Sequence, residues 1–266
     1  MERVPKESMP NIASLFGGWD ETLLWSCLQG YMGEAWANDS KAPASAQIII
    51  GDFCFFAGVP DITLVKNIPA SFPSKLILMI PQTEPWAELI EQTYPGKFKR
   101  SLRYAIKKEP NILDRNRLQR YIDALPPGFV LSMMDETLYH KAKAETWSRD
   151  LCSQFPTWAS FQEHGIGVMA RYGDTPVSGA ASYTVYDKGI EIEVDTEPTF
   201  RRKGLALACC AMLILACLDR GLYPSWDAHD LRSVALAEKL GYHLDKEYTT
   251  YIVAAEKERK DVLAFS

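Results

Sequence analysis

The sequence predicts a mixed α/β (α+β) protein, and three observations carry that prediction. Its second half alternates strand and helix patterns in a definite order. The turns Gly173-Asp174-Thr175-Pro176 and Asp187-Lys188-Gly189 are too short to join anything but antiparallel strands. A proline pair and a glycine at Pro126-Pro127-Gly128 break the chain near its middle.

The first half, 1–127, is expected to be a smaller α/β domain. Asp20 to Met32 reads as a helix with Asp20 at its N-cap. Ala46 to Val59 alternates and breaks at Gly51-Asp52 and Gly58, which predicts a strand pair around a tight turn. Lys75 to Ile80 is a short apolar strand stopped by Pro81. Pro85 to Tyr94 is a helix with proline in its first turn, and Arg115 to Leu125 is a further helix.

The second half, 128–266, is expected to be a second domain. It reads as strand Phe129–Met133, helix Glu136–Trp147, a shorter helix Thr157–His164, then strands Gly165–Tyr172, Val177–Tyr186 and Ile190–Thr196. A helix from Leu205 to Arg220 ends at Gly221, which supplies a left-handed cap. Strand Leu222–Trp226, a helix Ser233–Leu240 closed by Gly241, and a final strand pair over Tyr242–Val253 complete the order.

Of the 266 residues, 47% are hydrophobic and 24% charged, the balance of a globular chain rather than a disordered one. A formal net charge of -5 disfavours broad binding to a nucleic-acid backbone. The longest apolar run, Leu205–Leu218, has 14 residues, short of the roughly 20 that span a bilayer, so a buried helix is expected and no membrane partner. Six cysteines without a CxxC pair, three of them on that helix, read as reduced core residues. With no secretory pattern in Met1–Pro10, a cytoplasmic location is expected.

The segment from Val194 to Ala206 joins a strand to the apolar helix through Arg201, Arg202, Lys203 and Gly204. Free amides at a helix start attract anions, glycine allows close approach, and cations add charge-assisted contacts. A solvated basic turn is the plainer account of the same residues. On the preceding strand Glu191, Glu193 and Asp195 alternate with Ile190, Ile192 and Val194, so one face carries carboxylates. Such a face can move a proton, hold a cation, or simply be a polar exterior. Asp227, His229 and Asp230 crowd one loop but lack further ligands at defined spacing, so no metal is expected.

Arg201-Arg202-Lys203-Gly204-Leu205-Ala206 matches the Arg/Gln-x-x-Gly-x-Gly/Ala signature of the GNAT superfamily of acetyltransferases, which the chain resembles. The stretch from Asp230 through Ser233, Leu236 and Lys239 to Gly241-Tyr242 is similar to that superfamily's second motif. The run Ile190–Tyr242, with Pro224-Ser225-Trp226-Asp227, also resembles a bacterial subgroup, some of whose members are named after zwittermicin A resistance. The resemblance implies a GNAT fold over about 129–254, and an N-terminal half that is a reduced copy of it.

It further implies acetyl-coenzyme A as cosubstrate and an amine acceptor. The backbone of Arg202–Ala206, Leu205 included, would cradle the diphosphate, with Arg201 and Lys203 beside it and Asp230 and Ser233 near by. An amide at Val194 or Thr196 would polarise the thioester carbonyl. Glu193, then Glu191, would act as base. The second motif departs from the superfamily at Ala237, where a tyrosine acid is usual; Ser233, Tyr242, Tyr248 and Tyr251 stand as substitutes, Tyr242 foremost. Two further readings are a tRNA-dependent Fem-type aminoacyl transferase and a non-catalytic acyl-coenzyme A-binding module.

Overall fold

A computed structural model describes residues 1–255; the expected second domain's last residues, 256–266, lie outside the described residues. In chain order the strands are β1 Glu2–Arg3, β2 Glu34–Ala37, β3 Ser45–Ile50, β4 Phe53–Gly58, β5 Leu76–Pro81, β6 Phe98–Ile106, β7 Phe129–Met133, β8 Gly167–Tyr172, β9 Thr175–Tyr186, β10 Gly189–Thr196, β11 Tyr223–Ser225, β12 Asp227–Ala228 and β13 Leu244–Ala254. The result is a mixed α/β protein with mostly antiparallel, twisted sheets, as expected.

The described chain forms two compact units that interleave in sequence. One contains Met1–Trp19, Gly33–Ser101 and the segment from Thr249 on; the other contains Asp20–Met32 and Leu102–Tyr248. This division differs from a single boundary at 127/128. A partition by local punctuation does not register that residues 20–32 and 102–127 pack with the later strands.

In the first unit β1, β2, β3 and β4 form an antiparallel run, β4 pairs parallel with β5, and β5 pairs antiparallel with β13. The expected β3–β4 turn forms at Gly51, whose φ of 59° is a left-handed value. Phe56, Trp86, Ile90 and Tyr251 share its core, and the Trp86 indole donates to the Gly58 carbonyl at 2.9 Å.

In the second unit the sheet order is β11-β10-β9-β8-β7, antiparallel throughout except for the parallel pair β10–β11. The helix Leu205–Asp219 is apolar all round, as a helix buried between layers must be. It shares one core with Ile190, Ile192, Val168, Ala180 and Tyr242. Cys209 and Cys217 lie in that core, where burial pushes their thiols up to about 12. They are packing residues rather than nucleophiles. No helix among the described residues is long and apolar enough to cross a membrane.

Three expectations need correction. The helix expected over 20–32 is Thr22–Leu28, and its N-cap is Glu21 rather than Asp20. Glu21 is extended and its carboxylate accepts the Leu23 amide at 3.2 Å. The strand pair expected over 242–253 is the single strand β13. Strand β6 was not expected at all, because its charged residues Lys99, Arg100 and Arg103 mask the alternation.

Candidate active site

The site begins where two parallel strands part. β10 and β11 pair at Gly189–Tyr223, Ile190–Pro224 and Glu191–Ser225, and there the pairing ends. Beyond it β10 continues to Thr196 against β9 alone, while the next strand residues, Asp227 and Ala228, pair with β6 at Ala105 and Tyr104. A divergence of the expected kind therefore opens after Glu191. The Glu197 amide donates to the Val177 carbonyl at 2.9 Å. From that bond the antiparallel alternation sends the Asp195 and Glu193 amides toward β9 and the Val194 amide toward the edge that β11 has left. The Thr196 amide bonds the Asp195 carboxylate at 2.6 Å.

Gly189 sets the closed end of this divergence. A Cβ there would lie 2.2 Å from the Tyr223 carbonyl oxygen and 2.3 Å from the Tyr186 hydroxyl. The first is backbone and cannot yield without parting β11 from β10. Gly189→Ala is expected to destabilise the protein by about 3 kcal/mol, the upper end of ordinary overpacking. A denaturation midpoint equal to the parent's would show that β11 is not held this closely.

At the open end the loop from Glu197 to Gly204 leads into the helix Leu205–Asp219. Arg202 and Gly204 both have left-handed backbone, with φ of 63° and 81°. Gly204 is the N-cap and has no side chain to cap the helix, so among the described residues no side-chain bond caps its first-turn amides. Arg202, Lys203 and Gly204 are exposed. Arg201 is drawn back: its Nε donates to the Thr196 carbonyl at 3.0 Å and its guanidinium lies 3.6 Å from Asp195. The Lys203 ammonium sits 5.7 Å from the Phe200 ring centroid. Leu205 is buried and anchors the helix start, and Ala206 is half-buried.

The carboxylates of β10 differ sharply in surroundings. Glu191 is 5% exposed. Its Oε2 accepts from the Thr22 hydroxyl, Oε1 is buried, and the Asp227 amide and the Lys108 charge also favour the carboxylate. Burial holds its carboxyl above the usual range; the Thr22 bond opposes this and the charge of Asp227 adds to it. Glu193 and Asp195 are half-buried. Burial raises the Asp195 carboxyl as well, against the pull of the Thr196 amide and Arg201.

Around Glu191 the fold gathers residues from distant parts of the second unit. Asp227 is held by Arg103 Nε at 2.7 Å and by the Tyr248 hydroxyl at 2.9 Å. Burial raises Asp227 despite the partly opposing Arg103. Glu21 is raised by burial first, then by the charges of Asp227 and Glu191. Lys108 donates to the Asp20 carbonyl at 2.9 Å and lies 5.5 Å from the centroid of Trp25. Among these the sequence singled out Glu191, Asp227 and Tyr248, each for another reason. Glu21, Thr22, Arg103 and Lys108 carry no local pattern that joins them.

The second motif serves the helix Leu231–Leu240. Asp230 caps it, accepting from the Arg232 and Ser233 amides at 2.9 and 3.0 Å. Its bonds to the Arg232 side chain hold the carboxyl below its ordinary value. The Ser233 hydroxyl accepts from the Trp226 indole at 3.0 Å. Tyr242 is 1% exposed and its hydroxyl donates to the Pro224 carbonyl at 2.6 Å. Burial raises that phenol well above its ordinary value. Ala237, at the position of the usual acid, is fully buried. Tyr251 lies in the first unit and bonds Glu91. Among the described residues no group of three or more His, Cys, Asp or Glu is placed to hold a metal ion.

Comparison with known proteins places this arrangement in a family. The GNAT acetyltransferase family model matches residues 13–251, and the chain belongs to that family. It is 46% identical to a GCN5-related N-acetyltransferase-like protein from Streptococcus suis 89/1591, with a TM-score of 0.87, over 92% of this chain and 98% of that one. It is also 26% identical over 187 residues to YdfB of Bacillus subtilis (strain 168), described as an uncharacterized N-acetyltransferase; the match covers 67% of this chain and 66% of that protein. A GCN5-related N-acetyltransferase from Sphaerobacter thermophilus shares the fold, with a TM-score of 0.55 at 13% identity over 95% of this chain and 94% of that one.

Proposed function

We propose that this protein is an N-acetyltransferase that moves the acetyl group of acetyl-coenzyme A directly to a primary amine of a small-molecule acceptor. The observation that supports this most is the parting of β10 from β11 after Glu191, next to the uncapped helix start at Gly204. On this reading the catalytic portion is the unit formed by residues 20–32 and 102–248. The subgroup resemblance noted above favours a small acceptor over a protein. All six cysteines are buried thiols, in line with a reducing compartment, and we place the protein in the cytoplasm.

Each part of the site then has a role. The amides of Arg202–Ala206 and the helix dipole receive the diphosphate, and Lys203 and Arg202 add charge. Arg201, held by Thr196 and Asp195, stiffens the loop, and Asp230 and Ser233 fix the neighbouring helix. The Val194 amide stabilises the oxyanion as the amine attacks the thioester carbon. Glu191 takes the proton from the attacking nitrogen; its raised affinity for a proton suits a base working near neutrality. Glu193 stands second for that role. The thiolate leaves and is protonated from solvent, since the Tyr242 hydroxyl already donates to Pro224.

Calorimetric titration of acetyl-coenzyme A into the protein tests the donor half of this reading. Micromolar binding is expected. Absence of binding by the parent protein would overturn the reading.

A further inference from the structure

We infer that Arg103 and Tyr248 are positioning residues: they hold Asp227, and with it β12, away from β10 and so keep the strand parting open. This inference rests on the acetyltransferase reading, in which the parting is the donor site. Two observations carry it, one from the backbone ladder and one from the side chains around Asp227.

The ladder between β10 and β11 stops where its own phase would let it continue. The Tyr223 amide donates to the Lys188 carbonyl at 2.7 Å, with Tyr223 opposite Gly189. In that parallel phase a longer ladder would place Asp227 opposite Glu193. The Asp227 amide would then donate to the Ile192 carbonyl, and the Val194 amide to the Asp227 carbonyl. Instead Asp227 lies opposite Ala105 of β6, and its amide faces the Glu191 carboxylate. A strand can pair on both edges, so pairing with β6 does not by itself prevent this. The difference is one of direction: β12 follows β6, while β10 follows β9. The parallel pair β4–β5 of the first unit shows the other outcome. Phe56 opposes Pro81 there, and the ladder runs on, with the Gln82 amide donating to the Phe56 carbonyl at 3.1 Å.

The side chains supply the hold. β12 has two residues, Asp227 and Ala228, and so little ladder of its own to fix its direction. Sheet order sets β13, β6 and β12 side by side, and Tyr248, Arg103 and Asp227 form a row across them within the second unit. Arg103 places Nε and Nη2 on Asp227 Oδ1 at 2.7 and 2.6 Å. The Tyr248 hydroxyl donates to Oδ2 at 2.9 Å. Both carboxylate oxygens are thus drawn toward β6 and β13. The Arg103 and Asp227 side chains are each 11% exposed. A buried ion pair adds little net stability over apolar residues of similar volume, because both charges lose their water. Its use here is directional, since a guanidinium fork and a phenol fix a carboxylate in one place.

The test replaces the pair by apolar residues, Arg103→Met together with Asp227→Leu, which should leave the denaturation midpoint close to the parent's. Released from the row, β12 should close on β10. The Val194 amide then gains a partner, and its hydrogen exchange, followed by NMR without ligand, should slow about 10- to 100-fold, the worth of two regained ladder bonds. A merely structural role would leave that amide exchanging as before or faster. The same shift in population should raise the dissociation constant for acetyl-coenzyme A by a similar factor. Arg103→Lys keeps a charged donor for Asp227 and should stay within a few-fold of the parent in both measurements. Tyr248→Phe keeps the ion pair, removes the outer bond, and should move both by about 3- to 10-fold in the same direction.

Unchanged Val194 exchange in the paired replacement would overturn the inference, as would a loss in Arg103→Lys as large as in that replacement. If the paired replacement does not fold, Tyr248→Phe decides: the expected shift upholds the hold, and values equal to the parent's overturn it. The exchange measurement needs no coenzyme, so it separates this inference from the wider reading. Slower Val194 exchange in the variants upholds the held parting even if acetyl-coenzyme A binds none of the proteins. Acetyl-coenzyme A bound equally by the parent and the paired replacement, with exchange unchanged, overturns the hold and leaves the acetyltransferase reading in place.

Discussion

Replacing Glu191 by glutamine is expected to lower kcat for acetyl transfer by about 100- to 10,000-fold, the usual worth of a positioned base. The KM for acetyl-coenzyme A should hardly move, because Glu191 lies at the closed end of the strand divergence, away from the Gly204 loop in the chain. The same substitution makes a prediction of opposite character for stability. Burial raises the Glu191 carboxyl in the folded state, so the native protein binds a proton that the unfolded chain releases. The stability this confers is complete below the ordinary carboxylate range and is lost as pH climbs through the raised folded-state value. Glu191→Gln has no proton to lose. Relative to the variant, the parent should therefore lose stability as the solution is taken from acid toward neutral pH.

A residual slope from Glu21, which is raised in the same sense, should persist in both proteins. Turnover and denaturation midpoints measured across that range check both statements. A kcat within a few-fold of the parent's would remove Glu191 as the base and pass the role to Glu193.

Glu substituted for Gly204 is expected to weaken acetyl-coenzyme A binding by about 100-fold. Space is not the reason, since no atom lies within 4 Å of a Cβ built at this position. The backbone φ of 81° strains most side chains, and the new carboxylate would sit at the positive end of the helix dipole, where a diphosphate is expected. Gly204→Asn separates these effects, because asparagine adopts left-handed backbone with little strain and adds no charge. It should bind within a few-fold of the parent. Calorimetry on the three proteins decides: equal affinity in Gly204→Glu would mean that the helix start does not hold the phosphates.

Much of this could be read from local pattern, and the reasons are physical. Period-two alternation with turns of four and three residues located β8 to β10 within a few residues, because an antiparallel meander is specified by neighbours in sequence. The apolar run Leu205–Leu218 announced its buried helix in the same way. The basic loop and its glycine were legible because a helix start exposes its amides wherever it occurs. β6 was illegible, since charged side chains on a strand leave no apolar period.

What local pattern could not supply was partnership at long range. No feature of Asp20–Met32 says that it packs with strands more than a hundred residues later, yet Thr22 bonds Glu191 across 169 positions. Asp227 reads as a loop residue in the sequence but forms β12, and only folding brings Arg103 and Tyr248 to it. The sequence by itself determined most elements of the second half and their order, and it marked the Gly204 turn as a candidate anion site, all of which follow from backbone geometry over a few residues. The tertiary structure alone decided which of three alternating carboxylates is buried and which acids gather around it. Burial and charge coupling are properties of the packed neighbourhood, and in a chain they are assembled from residues that have no contact until it folds.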